Sequence, residues 1–289
     1  MSTAVMTDEN SGISREKAKE LGIFMMRMPF FINGEVKYQE TDMTVKEFYD
    51  ALDAGAEVST SQPSPGDVMD MWEGILGQGY DDIIYIPMSS GLSESCNSAK
   101  VFAEDYDGRV EIADNHRISV TMEQSVYDAL KYAKQGMNAF EIKNRLEKEA
   151  YDASIYIAVD TLAYLKKGGR VTAAAAAIGT VLNLKPVLTI QGEKLDAYAK
   201  ERGMKKARHV MIKAMQKDFE EGFAELDKQG RMRLCIAYSH VDDETLQSWI
   251  DEVNEAFPGR NLLISPLSLS IGCHIGPGAL AIAACRMEP

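Results

Sequence analysis

The sequence predicts an α/β protein of two domains, the first with a mainly parallel sheet covered by helices and the second of α+β type. Apolar strand-like segments alternate with helical segments up to Val159, which is typical of a parallel sheet. Beyond Asp160, strands around tight turns are mixed with one long helix, which favours α+β. A length of 289 residues allows two domains of ordinary size. We therefore expect domains at 1–160 and 161–289, with a cleft between them as a natural ligand site.

The first elements of the N-terminal domain follow from local signals. Ile23 to Ile32 is apolar and extended, and Asn33-Gly34 predicts a tight hairpin turn. Thr44 with Glu47 forms a capping box that opens a helix through Leu52.

The remaining N-terminal elements surround a serine-rich turn. Ser64-Pro65 predicts a helix start, with the helix running to about Gln78. A buried strand leads directly into Ser89-Ser90-Gly91, and a helix follows. Later segments are predicted as a strand at Val110–Ala113, helices at Val120–Gln135 and Ala139–Ala150, and a closing strand at Ile155–Val159.

The C-terminal domain begins with a short helix broken at Lys166-Lys167-Gly168-Gly169. The glycines are expected to end that helix, and a small-residue helix follows. The predicted elements are then Ala173–Ala177 (helix), Leu184–Ile190 and Leu195–Ala199 (strands), Met204–Leu226 (helix), Arg233–Tyr238 (strand), Asp242–Phe257 (helix), Asn261–Ser265 (strand) and Ala279–Cys285 (strand).

Composition excludes several classes of function. A net charge of −13 argues against a nucleic-acid partner and against docking on anionic lipid by bulk charge. No apolar stretch reaches the roughly 18 residues of a membrane span, and Met1-Ser2-Thr3-Ala4 does not resemble a secretory signal. The four cysteines have no CxxC spacing, so neither a metal site nor a disulfide framework is expected. We expect a cytoplasmic protein with reduced thiols and no integral membrane segment.

Two hydroxyl-rich segments suit an anion. Ser89-Ser90-Gly91-Leu92-Ser93 follows a buried strand and is expected to open a helix, whose free amides and partial positive charge attract anions. The alternative is a plain cap cluster. In Thr60-Ser61-Gln62-Pro63-Ser64-Pro65, Ser64 is expected to cap a helix, while Thr60 and Ser61 are free to donate elsewhere. That loop is equally readable as an ordinary turn.

His274 and two basic clusters are further candidates. Glycines and a proline surround His274 in Gly272–Gly278, and they allow unusual backbone angles and close ligand contact. Arg170 and Arg202 lie in the two basic clusters of this acidic chain, which are either solvated faces or a docking patch. The chain has neither the GxxxxGK[ST] loop of nucleotide-binding proteins nor the GxSxG elbow of serine hydrolases.

Taken together, these motifs resemble the DegV family of bacterial fatty-acid-binding proteins. The similarity covers nearly the whole chain. It also includes Thr7-Asp8, Leu21-Gly22-Ile23, Phe48-Tyr49, the segment Asp160–Leu165 and Asn183-Leu184-Lys185-Pro186. The family has two domains that hold one long-chain fatty acid between them. Its better understood members present the acid to a separate ATP-dependent kinase, which makes an acyl phosphate for phospholipid synthesis.

The resemblance implies site residues and a non-enzymatic role. The carboxylate would be held by Thr60, Ser61, Ser89, Ser90, Gly91, Ser93 and His274. Arg170 and Arg202 would serve the head group or docking of the kinase. The ligand would be a long-chain fatty acid, with no other cofactor and no metal. Two alternatives stay open: an enzyme that transfers phosphoryl or acyl groups with the serine turn and His274, and a regulatory module that senses lipid.

Two departures from the family pattern stand near these motifs. The first family motif usually reads TDSTADL, where this chain has Thr7-Asp8-Glu9-Asn10-Ser11-Gly12-Ile13. A glycine usually follows the SSGLS motif, where this chain has Glu94. We expect the Glu94 carboxylate to point away from the anion, or the geometry at the head group to differ.

Overall fold

The computed structural model describes residues 2–178 and 184–289. Asn183, which belongs to one of the family-like motifs, lies outside these residues. No helix in the two ranges combines the length and the apolar character needed to cross a membrane.

The secondary structure consists of short strands and helices in mixed order. The strands are β1 Thr3–Asp8, β2 Phe24–Met26, β3 Phe30–Ile32, β4 Glu35–Lys37, β5 Val58–Thr60, β6 Asp82–Ile86, β7 Val110–Ile112, β8 Ala153–Ala158, β9 Leu184–Ile190, β10 Asp196–Arg202, β11 Met232–Tyr238, β12 Leu263–Pro266 and β13 Leu280–Arg286. The α-helices are α1 Arg15–Leu21, α2 Val45–Asp53, α3 Pro65–Leu76, α4 Ser95–Ala103, α5 Ser119–Lys134, α6 Ala139–Lys148, α7 Ala163–Gly168, α8 Ala173–Ala176, α9 Met204–Glu220, α10 Ala224–Lys228, α11 Asp243–Ala256 and α12 Leu269–Ile275.

The N-terminal half contains the predicted parallel sheet. Its strand order is β2-β1-β6-β7, and every neighbouring pair is parallel. Each residue of β6 is buried, because helices cover both faces of the sheet. Trp72 of α3 packs in the cluster on one face, and Val126 of α5 and Ile142 of α6 pack in the cluster on the other. The α/β prediction for this half is confirmed.

The apolar segment Ile23–Ile32 is divided between two sheets rather than forming one extended strand. Strand β2 joins the parallel sheet, whereas β3 pairs antiparallel with β4 and β5 in a small separate sheet. Pro29 stands between them and has no N–H group to donate to a strand ladder, so pairing is interrupted there. The predicted hairpin follows β3, with φ of 51° at Asn33 and 85° at Gly34.

A six-stranded sheet forms the C-terminal half, in the order β10-β9-β8-β13-β11-β12. All neighbours are antiparallel except β11 and β12. The expectation that Ile155–Val159 closes the N-terminal series is wrong, because β8 pairs with β9 and β13. An apolar run does not reveal which sheet a strand joins. The boundary near Asp160 stays a prediction, and this pairing favours a position before Ala153.

The two faces of the six-stranded sheet pack against different partners. One face is covered by α9 and α11, with Met215 and Trp249 buried against Ile282. The opposite face joins the cluster that contains Ile84 and Ile86 of the parallel sheet. The two halves therefore share one core.

Candidate functional site

A deep cavity lies between the two halves of the molecule. It encloses about 1070 Å³ of empty space, part of which opens to solvent, at the upper end of the roughly 300–1,000 Å³ typical of ligand pockets. Most of its wall is apolar. The apolar lining residues are Met28, Met88, Leu92, Ile118, Val120, Ile155, Ile157, Leu165, Ile190, Leu195, Ala237, Leu267, Ile271, Ile275 and Ala281.

Small residues in the middle of the six-stranded sheet leave room for this cavity. Ala281 of β13 and Ala237 of β11 line the cavity, and Ala283 and Cys285 of β13 lie on the same face of the sheet. The alternate residues, such as Ile282, point to the packed face. This wall was not predicted from the sequence, although Leu280-Ala281-Ile282-Ala283 alternates large and small residues, which was a readable signal.

Thr60 and His274 meet at the polar end of the cavity. Thr60 Oγ1 lies 2.8 Å from His274 Nε2, although 214 positions separate them in the chain. Both side chains are half-buried and line the cavity. The structure therefore brings together two of the motifs that were predicted to act on one anion.

His274 stands on a helix rather than in the rigid turn expected for Gly272–Gly278. Ser268 caps α12 by accepting a hydrogen bond from the Ile271 N–H at 3.2 Å. Gly272 is helical, and its role is close packing: a Cβ there would lie 2.8 Å from Tyr49 Oη and 3.2 Å from Phe48 Cε1. Because Gly272 has no side chain, α12 can approach α2 closely. The glycine therefore matters for helix packing and not for an unusual backbone angle.

Burial and a neighbouring cation keep the His274 ring neutral. Desolvation, with a further contribution from the Arg170 guanidinium, lowers the pKa of His274 to about 4. A neutral ring that carries its proton on Nε2 donates to Thr60 Oγ1 and leaves the Thr60 hydroxyl proton free for another acceptor. Arg170 also lines the cavity and donates to the carbonyl groups of Leu92, at 3.3 Å, and of Gly168.

Ser61 and Ser93 also lie at the polar end. Both line the cavity, together with Gln62. The Ser93 hydroxyl lies 3.0 Å from that of Ser95, and Ser61 donates to the Gln62 carbonyl group at 3.2 Å. Glu94 lines the exposed mouth and accepts a hydrogen bond from Asn97 at 3.0 Å, so its carboxylate is engaged by its own helix.

Ser89, Ser90 and Gly91 lie outside the cavity lining. The Ser89 hydroxyl donates to the Gly192 carbonyl group, and the Ser90 N–H donates to Asp114 Oδ1 at 3.2 Å. The helix expected to begin at this turn begins at Ser95. Leu92 and Ser93 instead donate their N–H groups to the Ser89 carbonyl group, which forms a separate turn. Through the Ser89 hydroxyl the turn contacts the connection between β9 and β10. Of the serines in this turn, Ser93 lines the cavity.

Arg202 is placed away from the cavity. It is exposed at the end of β10 and is followed by Gly203 and the exposed Lys205 and Lys206 at the start of α9. Of the two predicted basic residues, Arg170 lines the cavity and Arg202 does not.

The N-terminal loop that departs from the family pattern supports three walls of the cavity. Asp8 accepts a hydrogen bond from the Met88 N–H at 3.0 Å, and Glu9 accepts one from the Met28 N–H at 2.8 Å. Asn10 accepts one from the Ser268 hydroxyl at 2.8 Å. Burial raises the pKa of Asp8 to about 6 and that of Glu9 to about 7. No structural role for this loop was predicted from the sequence.

No group of three or more potential metal ligands is found within residues 2–178 and 184–289. The polar lining of the cavity includes hydroxyl groups, a neutral imidazole and a guanidinium, which can donate hydrogen bonds to a carboxylate, and also Gln62 and the Glu94 carboxylate.

Comparison with known sequences shows similarity to one protein family over almost the whole chain. Residues 2–287 match the family described as "Uncharacterised protein, DegV family". A DegV domain-containing protein of Deinococcus radiodurans is 30% identical, and the match covers 100% of this chain and 99% of the relative. Protein DegV of Bacillus subtilis is also 30% identical, over 99% of both chains.

Solved structures agree with the sequence relationships. A DegV family protein from Thermus thermophilus, described by its fatty acid binding, has a TM-score of 0.87 and 29% identity over 99% of this chain and 100% of its own. DegV of Bacillus subtilis, described as a fatty acid binding protein, has a TM-score of 0.83 and 28% identity over 99% of both chains. A stearic acid-binding protein from Eubacterium ventriosum, at 21% identity and a TM-score of 0.86, shows the same fold over 98% of both chains.

Proposed function

The chain belongs to the DegV family, and from this membership we propose that it binds a long-chain fatty acid between its halves and presents the carboxylate to a separate ATP-dependent kinase. The observation that carries the proposal is the apolar cavity with hydrogen-bond donors gathered at one end. An acyl tail requires the apolar wall, and its carboxylate requires the donors. The chain acts here as a carrier and the kinase supplies the chemistry.

Tail burial supplies most of the binding free energy in this proposal. About 15 methylenes at roughly 0.8 kcal/mol each give on the order of 12 kcal/mol, before the cost of ordering the ligand. One charge-assisted hydrogen bond contributes only about 1.5–3 kcal/mol. The head-group contacts therefore fix the direction of the ligand more than its affinity.

Thr60 is the central donor at the head group. In the tautomer that carries its proton on Nε2, His274 donates to Thr60 Oγ1, and the threonine hydroxyl is then free to donate to a carboxylate oxygen. Ser61 and Ser93 line the same end and supply further hydroxyls, and Arg170 supplies positive charge. The Ser89 side chain and the Ser90 backbone N–H act through the turn that positions Ser93.

A catalytic role for Thr60 or Ser93 has less support. A nucleophile activated by histidine needs an imidazole that accepts its proton, normally oriented and stabilised by a carboxylate. The charged neighbour that affects His274 is Arg170, and it disfavours the imidazolium that a general base must form. The carrier function is therefore preferred over phosphoryl or acyl transfer by this chain. A protein that only senses lipid would not need hydrogen-bond donors that present the carboxylate to a kinase.

Native mass spectrometry of protein purified from bacterial cells tests the binding function. We expect a bound mass equal to a long-chain fatty acid, which organic extraction removes and stearic acid restores. A protein that neither carries nor takes up such an acid contradicts the proposal.

Phosphorylation by a partner kinase tests the presentation of the carboxylate. With lipid saturating, His274→Ala is expected to lower the phosphorylation rate at least 10-fold while lowering affinity for stearic acid only about 3-fold, because the tail dominates binding. Arg202→Ala is expected to preserve lipid affinity and to slow phosphorylation at low salt and subsaturating protein, where electrostatic docking is strongest. Lys228→Ala, a change on the separate helix α10, is the matched charge control. Unchanged rates for His274→Ala and Arg202→Ala would remove the handover part of the proposal.

A further inference from the structure

One face of helix α12, together with the residue before its cap, lines the cavity. The residues on this face are Leu267, Ser270, Ile271, His274 and Ile275, whose spacing of three and four positions is that of a single helical face. Leu269 and Cys273 occupy the opposite face, where they pack in the cluster of Phe30 and Phe48. Ser270 is thus a polar residue on a stretch of wall that is otherwise apolar between His274 and Leu267.

The Ser270 hydroxyl has no partner within the protein. The residue is only 6% exposed, and its hydroxyl makes no hydrogen bond among residues 2–178 and 184–289. Its oxygen keeps accessible surface on the cavity side, whereas that of Ser119, which also lacks a partner, is enclosed. A methylene group packed against Ser270 would exclude water and leave this hydroxyl unpaired, which costs free energy.

The position of Ser270 places it beside the first carbon atoms of a bound acid. Ser270 precedes His274 by four residues on α12, a rise of about 6 Å along the helix. Further in the same direction, the Leu267 N–H donates to the Tyr238 carbonyl group at 2.8 Å, next to Ala237 in the sheet wall of the cavity. An acid whose carboxylate lies beside His274 therefore passes Ser270 just beyond its carboxyl group, before its tail reaches that wall.

We infer that Ser270 forms a polar subsite for a hydroxyl group on one of the first carbon atoms beyond the carboxyl group of the fatty acid. Such a hydroxyl can accept a hydrogen bond from Ser270 Oγ or donate one to it, whereas a methylene can do neither. A site with a buried polar group favours the ligand that pairs with it over the analogue that leaves it unpaired. This assignment rests on the proposed function and deepens it, since it names the class of fatty acid.

Equilibrium titration with hydroxylated stearic acids tests the subsite, with stearic acid as the reference ligand. A near series carries the hydroxyl on the α, β, γ or δ carbon, as separate enantiomers, and ω-hydroxystearic acid carries it at the far end of the tail. One member of the near series is expected to bind about 5- to 10-fold more tightly than stearic acid, the size of one net hydrogen bond, whereas the ω-hydroxy acid should show no such gain. Ser270→Ala should abolish this preference and strengthen the binding of stearic acid about 3-fold, because no unpaired hydroxyl then faces the tail.

Ser248→Ala is the matched control. Ser248 is also a helical serine, but it stands on α11 outside the cavity lining and accepts a hydrogen bond from Arg208 at 3.4 Å. Its replacement should leave every ratio of affinities unchanged.

The outcomes separate the subsite from the proposed function. Binding of stearic acid with no near isomer preferred overturns the subsite and leaves the proposed function intact, as does a preference that survives Ser270→Ala. A loss of affinity for stearic acid in Ser270→Ala would assign the hydroxyl to the head group and would also overturn the subsite. Failure of the unmodified protein to bind any of these acids overturns the proposed function itself.

Discussion

The two faces of the six-stranded sheet carry side chains of different size, although those side chains alternate along the same strands. On the face covered by α9 and α11, β13 presents Leu280 and Ile282, which pack against Trp249. On the opposite face it presents Ala281 and Ala283, beside Ala237 of β11. One face is filled by its own helices, whereas the other borders a cavity of about 1070 Å³. The comparison indicates that large residues on one face of a buried strand contribute to stability. Small residues on its other face leave space that a ligand can occupy.

The largest expected effect follows from a substitution on the packed face of the six-stranded sheet. Ile282→Ala should lower the free energy of unfolding by about 2–5 kcal/mol, because it leaves a cavity against α9 and α11. The change should have little effect on the affinity of the folded protein for stearic acid, since Ile282 points away from the ligand cavity. Urea unfolding and titration at low denaturant measure the two quantities. A large loss of affinity with unchanged stability would contradict the separation of the faces.

The next largest effect follows from a substitution that fills space on the open face, the face of the sheet that borders the cavity. Ala281→Leu should displace about three methylenes of the acyl tail and cost ~2.4 kcal/mol of binding, which is about 50-fold in Kd. Stability should be unchanged or slightly raised, because the new side chain occupies existing space. Ala284→Leu makes the same substitution on the packed face of β13, where it should destabilise by about 1–3 kcal/mol and spare binding. Equal behaviour of the two leucine variants would refute the comparison.

The titration of His274, which lines the cavity, gives a smaller effect that depends on pH. The pKa of His274 is lowered to about 4 in the folded protein, so the unfolded chain binds the proton more readily. Stability relative to His274→Asn should therefore rise by about 1–2 kcal/mol between pH 4 and 6.5 and be constant above that range. The full shift is discounted because the ring is partly exposed. Thermal unfolding of both proteins at several pH values gives the difference, and a slope of opposite sign would exclude the assigned cause.

The smallest expected effect distinguishes two neighbouring serines. Ser93→Ala should weaken binding of stearic acid by about 1 kcal/mol, roughly 5-fold, because it removes a hydroxyl from the polar end of the cavity. Ser90→Ala should leave affinity unchanged, since the bond of Ser90 to Asp114 uses its backbone N–H. Titration with a fluorescent fatty acid measures both variants. An equal loss of affinity in both variants would indicate that the whole Ser89–Ser93 turn belongs to the head-group site.

Local signals predicted much of the fold. The capping box of Thr44 with Glu47 and the Ser64-Pro65 helix start are both present. Such signals depend on neighbours in sequence, which are visible in a single chain. The sheet to which β8 belongs depends on strands about 30 and 125 positions away, Leu184–Ile190 and Leu280–Arg286, and an apolar pattern carries no information about that choice.

The site was predicted in part, for a related reason. The family resemblance assigned Thr60, Ser61, Ser93, Arg170 and His274 to a head-group site; all five line the cavity, and their role there stays a prediction. The short helix α12 was missed because Gly272 and Gly276 favour a turn locally, while packing of Leu269 and Cys273 against the Phe30 and Phe48 cluster stabilises the helix. Tertiary contacts outweighed local propensity there.

The position of β13 has a consequence for how the protein is made. Leu280–Arg286 is the last strand in the sequence, yet it lies in the middle of its sheet, between β8 and β11. During synthesis, both of those strands must wait with unpaired edges until it leaves the ribosome, and such edges are prone to aggregation. The wall of the cavity that contains Ala281 therefore forms only after Leu280–Arg286 has been synthesised, later than both strands between which it pairs.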